Sequence, residues 1–246
     1  MFLVSTAQRC GSTWLTKSLS QATKSDDLYV NGWAIGFSLT SASEHGAIAK
    51  LAETFAAHPH IKVFKTHDVH TRDFAAACDA IPGLRIMTVQ RDFRDTVVSR
   101  YFYLRYYWPT ESGFGPVPEE ARDYLARNAD TDDRTALADL VATDMLRKWA
   151  WEWAAFEGSL GTDKALRVTY DGMLDGTEFE RIKKFTGLRR LKPGSFGGDQ
   201  KKETKDTGRE GKARFNRSGR SGEWREWFTT AQGMRLMEIT QEYLPL

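Results

Sequence analysis

The chain has little of several features that would point to other classes of protein. Its 246 residues contain two cysteines, Cys10 and Cys78, too few for a disulfide framework and without the paired spacing of a zinc site. No apolar run approaches the roughly 18–20 residues of a membrane helix, and the apolar start is too short for a signal peptide. The formal net charge of +2 does not indicate nucleic-acid binding. These absences predict a cytoplasmic protein with no membrane or nucleic-acid partner.

The rest of the sequence alternates short apolar segments with amphipathic ones, which is typical of an α/β protein. Strands are predicted at residues 2–5, 61–65, 84–89 and 165–169, and those at 2–5 and 84–89 are predicted to be buried. Helices are predicted at residues 13–21, 44–57, 73–80, 92–107, 136–157, 178–186 and 230–244. Because the strands are apolar on both faces, we expect a central parallel β-sheet flanked by helices in three layers. At this length, one domain covering residues 1–246 is the expected organisation.

The loop after the first strand, residues 9–14 (RCGSTW), has the composition of an anion-binding loop. Ligands of open α/β sheets lie beyond the carboxyl ends of the strands, and the following helix offers free N–H groups and a positive dipole end. Gly11 permits close approach of the backbone, and Arg9 adds a charged fork. A phosphate or sulfate site is one interpretation, and an N-capped helix with a tight turn is the other. No Gly-Lys-Ser or Gly-Lys-Thr occurs, so the magnesium-binding P-loop is absent.

Three further stretches accompany this loop: residues 64–67 (FKTH), 91–99 (RDFRDTVVS) and 217–224 (RSGRSGEW). In this order the four stretches resemble the motifs of the cytosolic-type sulfotransferase family, which transfers a sulfuryl group from 3′-phosphoadenosine 5′-phosphosulfate (PAPS). The motifs span residues 6–224, almost the whole chain. The resemblance implies a P-loop-NTPase-like sulfotransferase fold, PAPS as co-substrate, 3′,5′-adenosine bisphosphate (PAP) as product, and no metal.

The resemblance also implies which residues hold the nucleotide. The opening loop would bind the sulfate and the 5′-phosphate. An arginine–serine pair and a glycine-containing segment would bind the 3′-phosphate, and aromatic side chains would contact the adenine. The implied residues are Arg9, Cys10, Gly11, Ser12, Thr13 and Trp14 in the loop, Arg91 with Ser99, Arg217 with Ser218 and Gly219, and Tyr170 with Phe196. The family has a lysine where this chain has Ser218, and the candidate replacements for the lost charge are Arg220, Arg214 and Lys212.

Each of these assignments has a structural alternative. Arg91 could form a surface ion pair with Asp95, and the segment 192–222, with its seven glycines and many charges, could be a solvated linker rather than a flap over a ligand. A lone aromatic side chain such as Tyr170 or Phe196 is more often part of a core.

For catalysis, the resemblance implies His67 as general base, since an imidazole can take a proton from an acceptor hydroxyl or amine near neutral pH. Arg9 replaces the family's catalytic lysine. An arginine keeps the positive charge but cannot release a proton. Lys65 could share the role of the family's catalytic lysine. His58, His60 and His70 lie close in sequence, but their spacing fits no common zinc pattern.

Aromatic segments between the motifs are candidates for the acceptor pocket. They include residues 33–37, the run 101–108 (YFYLRYYW) and the loop through Pro118. The run could instead pack against the helix at 136–157 with its stripe of Trp149, Trp153 and Phe156.

The sequence therefore predicts a PAPS-dependent sulfotransferase that acts on a hydroxyl, or less readily an amine, of a small aromatic or polycyclic molecule. One alternative is a catalytically inactive PAP- or PAPS-binding module, which Arg9 would suit. Another is a nucleotide-dependent phosphotransferase, which would need a loop lysine and an acidic magnesium ligand.

Overall fold

The computed structural model describes residues 1–29, 52–67, 78–107, 118–157, 163–192 and 219–244. The chain divides into two compact units. The first contains residues 1–91 and 154–194, and the second residues 92–153 and 195–244. The organisation as one domain over residues 1–246 stays a prediction.

The first unit is built on a five-stranded parallel sheet with the strand order β2-β3-β1-β4-β5. Its strands are β1 (Phe2–Ser5), β2 (Asp27–Tyr29), β3 (Val63–Thr66), β4 (Arg85–Gln90) and β5 (Ala165–Thr169). The central strand β1 is buried along its whole length, as expected for a strand covered on both faces. The predicted parallel sheet is confirmed. The short strand β2 was not predicted.

The helices of the first unit include α1 (Ser12–Thr23), α6 (Tyr170–Leu174) and α7 (Glu178–Thr186). Leu15 and Leu19 of α1 are fully buried. A cluster of buried apolar side chains from the strands and neighbouring segments forms the core, including Leu3, Phe64 and Ile86. Of the predicted helices at 44–57 and 73–80, residues 52–57 and 78–79 are helical, and the rest lies outside the described residues.

In the second unit, Asp92 caps α2 (Phe93–Phe102) by accepting a hydrogen bond from the Arg94 N–H at 2.9 Å. The helix continues as a π-helix through Tyr103–Tyr107, so the predicted helix at 92–107 is confirmed in extent. The other helices of this unit are α3 (Glu119–Arg127), α4 (Asp133–Leu140), α5 (Asp144–Glu157), which ends in the first unit, a 3₁₀-helix (Glu223–Glu226) and α8 (Thr230–Gln241).

The prediction of one helix over 136–157 is wrong, because the chain turns between α4 and α5. Thr143 makes the break: its hydroxyl donates to the Leu140 carbonyl at 2.8 Å and accepts from the Leu146 N–H at 3.3 Å. The first bond ends one helix and the second caps the next. Sequence reasoning also missed α3 and the short helix α6.

Half of the aromatic residues in the run at 101–108 belong to the core. Tyr101, Phe102 and Tyr103 are buried, while Tyr107 and Trp108 lie outside the described side chains. Trp149 and Trp153 of α5 are buried as well, and the Phe93 and Trp153 ring centres lie 5.6 Å apart. Burial in the core is therefore established for Tyr101, Phe102 and Tyr103, and the acceptor pocket stays a prediction. In the part of the chain that is described, no helix is both long and apolar enough to cross a membrane.

Candidate active site

The parallel register of the sheet brings the predicted first-unit motifs to one edge. Ser5 pairs with Thr66 and Gln90 with Thr169, so β1 and β3 end level with each other, as do β4 and β5, and all four carboxyl ends lie at one edge of the sheet. The segments that follow them begin at Thr6, His67, Arg91 and Tyr170. This edge is where open α/β sheets bind their ligands.

The loop between β1 and α1 has an unusual backbone. Arg9 has a φ of 68° and Gly11 a φ of 99°, and a non-glycine residue in this left-handed region is uncommon and costly. Arg91 compensates in part, because its Nη1 donates to the Arg9 carbonyl at 3.0 Å. Gly11 is the N-cap of α1 and offers no side-chain acceptor to the first N–H groups of the helix. Cys10, between them, is buried.

Tyr170 lies directly beneath this loop. A Cβ atom added to Gly11 would lie 2.8 Å from Cδ2 of Tyr170, and the Arg91 guanidinium lies 4.3 Å from the centre of the same ring. Trp14 packs edge-on against it with ring centres 6.5 Å apart. Tyr170 is 3% exposed. The structure thus places Tyr170 as a support for Gly11 and Arg91, a packing role that sequence reasoning missed, and its contact with adenine stays a prediction.

Two cationic side chains, Lys65 and Arg9, interact electrostatically near the start of α1. Nζ of Lys65 donates to the Thr13 hydroxyl at 3.0 Å. The pKa of Lys65 is lowered to about 8, first by burial and then by the positive charge of Arg9, with Lys17 acting in the same direction and Asp27 opposing it. Burial and like charge both penalise the ammonium, so a bound anion would relieve this cost. For that reason the site suits an anion such as phosphate or sulfate.

His67 is held in one tautomer by the backbone. Its Nδ1 atom lies 2.7 Å from the Thr6 carbonyl oxygen. A carbonyl oxygen can only accept, so Nδ1 carries the hydrogen and Nε2 is the proton-accepting atom of the neutral ring. This is the arrangement that a general base requires. The sequence motif identified His67, but nothing in it revealed the partnership with Thr6.

Two of the remaining predicted residues, Ser99 and Gly219, belong to the described part of the second unit. Ser99 lies in α2 and is half-buried, and Gly219 has a φ of 64°. Arg220, one of the candidate replacements for the missing lysine, forms an exposed ion pair with Glu226 at 3.0 Å, and the other two, Lys212 and Arg214, lie outside the described residues. Phe196, Arg217 and Ser218 lie outside the described residues, as do residues 33–37 and His70.

Comparison with known proteins identifies the fold of this chain. No family model matches the sequence, and no curated protein matches it. Among solved structures, the chain is similar to mouse sulfotransferase SULT7A1 complexed with PAP. The two are 15% identical, with 98% of this chain and 83% of that chain covered and a TM-score of 0.58. Retinol dehydratase, in complex with androsterone and the inactive cofactor PAP, matches at 13% identity over 98% of this chain and 80% of that chain, with a TM-score of 0.49.

The chain therefore has the α/β fold of the sulfotransferases, and the predicted fold class is confirmed. The resemblance read from the motifs is confirmed at the level of the fold.

Proposed function

We propose that this protein is a sulfotransferase that moves a sulfuryl group from PAPS to a hydroxyl, or less readily an amine, of a small-molecule acceptor. The observation that carries the proposal is the position of His67, fixed by the Thr6 carbonyl at the same sheet edge as Arg9 and Lys65. The similarity of the fold to a PAP-bound sulfotransferase supports it.

His67 is the general base in this proposal. With its Nδ1 hydrogen donated to Thr6, Nε2 accepts the proton that the acceptor group loses as it attacks. Fixing the tautomer removes an unproductive state of the ring, and a positioned base contributes typically about 10²–10⁴-fold to a rate.

Arg9 and Lys65 provide the positive charge for the leaving phosphate. When bound, PAPS would supply a sulfuryl group whose bond to the 5′-phosphate breaks as the bond to the acceptor forms, so that PAP leaves. Preorganised cations aimed at developing negative charge are among the largest contributions to catalysis. Arg9 stays charged at any useful pH, whereas Lys65, with its pKa near 8, is the cation of this pair that can release a proton.

The nucleotide would be held by the residues that the motifs identify. The loop from Arg9 to Trp14 would take the 5′-side, and Arg91 the 3′-phosphate. The second-unit residues proposed for the 3′-phosphate and the adenine are Ser99, Arg217, Ser218, Gly219 and Phe196. A metal has no part in this proposal, and the cytoplasm is the proposed location.

The test is PAP release from PAPS with a panel of phenols, alcohols and amines. His67→Ala should lower kcat by about 100-fold or more, while its PAP affinity by calorimetry stays near that of the parent. His60→Ala is the matched control, because His60 is an exposed histidine of the same unit.

Normal turnover by His67→Ala would refute the assignment of the base. PAP binding without turnover on any acceptor would favour the inactive binding module, and the loss of both would refute the site altogether.

A further inference from the structure

In the second unit, the carboxylate of Asp95 binds a distant part of the chain. Its Oδ2 accepts from the Gly222 N–H at 2.7 Å, and its Oδ1 accepts from the Trp224 N–H at 2.9 Å. Gly222 is 127 residues away in sequence. Asp95 is only 1% exposed, and charge-assisted hydrogen bonds of this kind are stronger than neutral ones. Both oxygens of one buried carboxylate therefore fix a single turn.

The same turn has a second anchor, the ring of Trp224. The Arg94 guanidinium lies 4.0 Å from the centre of that ring, and a Cβ atom added to Gly233 of α8 would lie 2.5 Å from Cζ3 of Trp224. The ring is thus packed between the first turn of α2 and a glycine of α8. Gly222 has a φ of 74°, a conformation that favours glycine.

Asp95 and Ser99 lie four residues apart on α2, and side chains with this spacing share a helix face. By accepting from Gly222 and Trp224, Asp95 holds these two residues against the face of α2 that carries Ser99. Gly219, which the proposed function also assigns to the 3′-phosphate, lies three residues before Gly222 in the sequence.

We propose that Asp95 is a positioning residue that assembles the 3′-phosphate part of the nucleotide site by holding the Gly219–Trp224 turn beside Ser99. The proposal rests on the proposed function. It assigns to Asp95 a role in nucleotide selectivity. The preference for nucleotides with a 3′-phosphate depends on Asp95, although its carboxylate is itself an anion and does not contact the phosphate.

The test compares the dissociation constants of PAP and 5′-AMP, which differ only in the 3′-phosphate. In the full-length Asp95→Asn variant, the side-chain NH₂ group replaces one carboxylate oxygen and faces a backbone N–H. One of the two hydrogen bonds to Gly222 and Trp224 is therefore lost. We expect the ratio Kd(5′-AMP)/Kd(PAP) to fall by about tenfold or more, while the affinity for 5′-AMP stays near that of the parent. Asp95→Glu, which keeps both acceptors, should restore part of the ratio.

Asp133→Asn is the matched control. Asp133 is also buried in the second unit and also accepts two hydrogen bonds, from the hydroxyls of Tyr101 and Tyr106 at 3.0 and 2.6 Å. Both hydroxyls bind Oδ1, which an asparagine keeps, but the substitution removes the negative charge beside Arg105, whose Nε lies 3.5 Å from Oδ1. Asp133→Asn should therefore lose stability with no change in the ratio. A merely structural role of Asp95 would make the two variants behave alike.

An unchanged ratio in Asp95→Asn, or an equal loss of affinity for both nucleotides, would overturn the proposal. If Asp95→Asn is not recovered folded, Trp224→Phe decides, because it weakens the other anchor of the same turn and should also lower the ratio. A parent protein that does not prefer PAP over 5′-AMP would overturn the proposed function instead.

Discussion

Replacing Gly11 with alanine tests the packing of the opening loop on Tyr170. The new Cβ atom would lie 2.8 Å from Cδ2 and 3.1 Å from Cε2 of that ring, closer than van der Waals contact. The φ of 99° adds a backbone cost. A left-handed alanine costs roughly 1–2 kcal/mol and overpacking about 1–3 kcal/mol, so the free energy of unfolding should fall by about 2–5 kcal/mol.

Gly176→Ala is the control for the backbone cost. Gly176 has a φ of 90° in the same unit, and a Cβ atom there would meet nothing within 4 Å. It should lose only the roughly 1–2 kcal/mol of the left-handed conformation. Urea unfolding monitored by fluorescence measures both variants. In a Tyr170→Ala background, Gly11→Ala should cost no more than Gly176→Ala does, as the double-mutant cycle isolates the contact.

Equal losses for Gly11→Ala and Gly176→Ala in the parent would refute the reasoning, because the contact with Tyr170 would then contribute nothing. A cost of Gly11→Ala that persists in the Tyr170→Ala background would refute it as well.

Three further predictions concern the site and the core. The charged form of Lys65, which is proposed to bind the anion, is lost as pH rises through about 8, so PAP affinity should fall by up to about tenfold per pH unit above that value. Lys65→Met should remove this dependence, and calorimetry at several pH values measures it. Arg91→Met should weaken PAP binding by about 2–5 kcal/mol if the guanidinium is a desolvated partner of the phosphate, and an unchanged Kd would contradict this. Burial raises the pKa of the Cys78 thiol to about 12, so Cys78 in the native protein should not react with a thiol reagent at neutral pH, whereas in the unfolded protein it should react at once. Rapid labelling of Cys78 in the native protein, located by peptide mapping, would contradict its burial.

Four of the five strands, and the motifs that follow them, could be predicted because their signals are local. β1 at 2–5 and β5 at 165–169 have the predicted bounds, since each is a short apolar run between polar turns. The parallel sheet then follows from the alternation with helices, and it brings the motif loops to one edge without further information.

Two of the helix errors, the break between α4 and α5 and the missed α3, had local signals that the hydrophobic pattern outweighed. The sequence Thr143-Asp144 is an N-cap followed by an acidic first turn, but the apolar stripe of α5 continued the pattern across it. Likewise, Pro118-Glu119-Glu120 is a helix start, with acidic residues in the first turn of α3.

The supporting contacts of the site could not be predicted, because they join residues that are distant in sequence. A tyrosine after a strand carries no sign that it will pack under Gly11 and Arg91. An aspartate in the first turn of a helix indicates a favourable interaction with the helix dipole, and nothing local marks Asp95 as the acceptor for Gly222 and Trp224. Such bonds are decided by the tertiary fold.

The most direct test of the central claim is calorimetric titration of the full-length protein with PAP, without magnesium, beside ADP and ATP. The account predicts that PAP binds about tenfold or more tightly than either of the other nucleotides, because Arg91 and the second-unit residues are proposed to bind a 3′-phosphate that ADP and ATP lack. Equal affinity for all three nucleotides, or binding that requires magnesium, would contradict the sulfotransferase assignment and favour the phosphotransferase alternative.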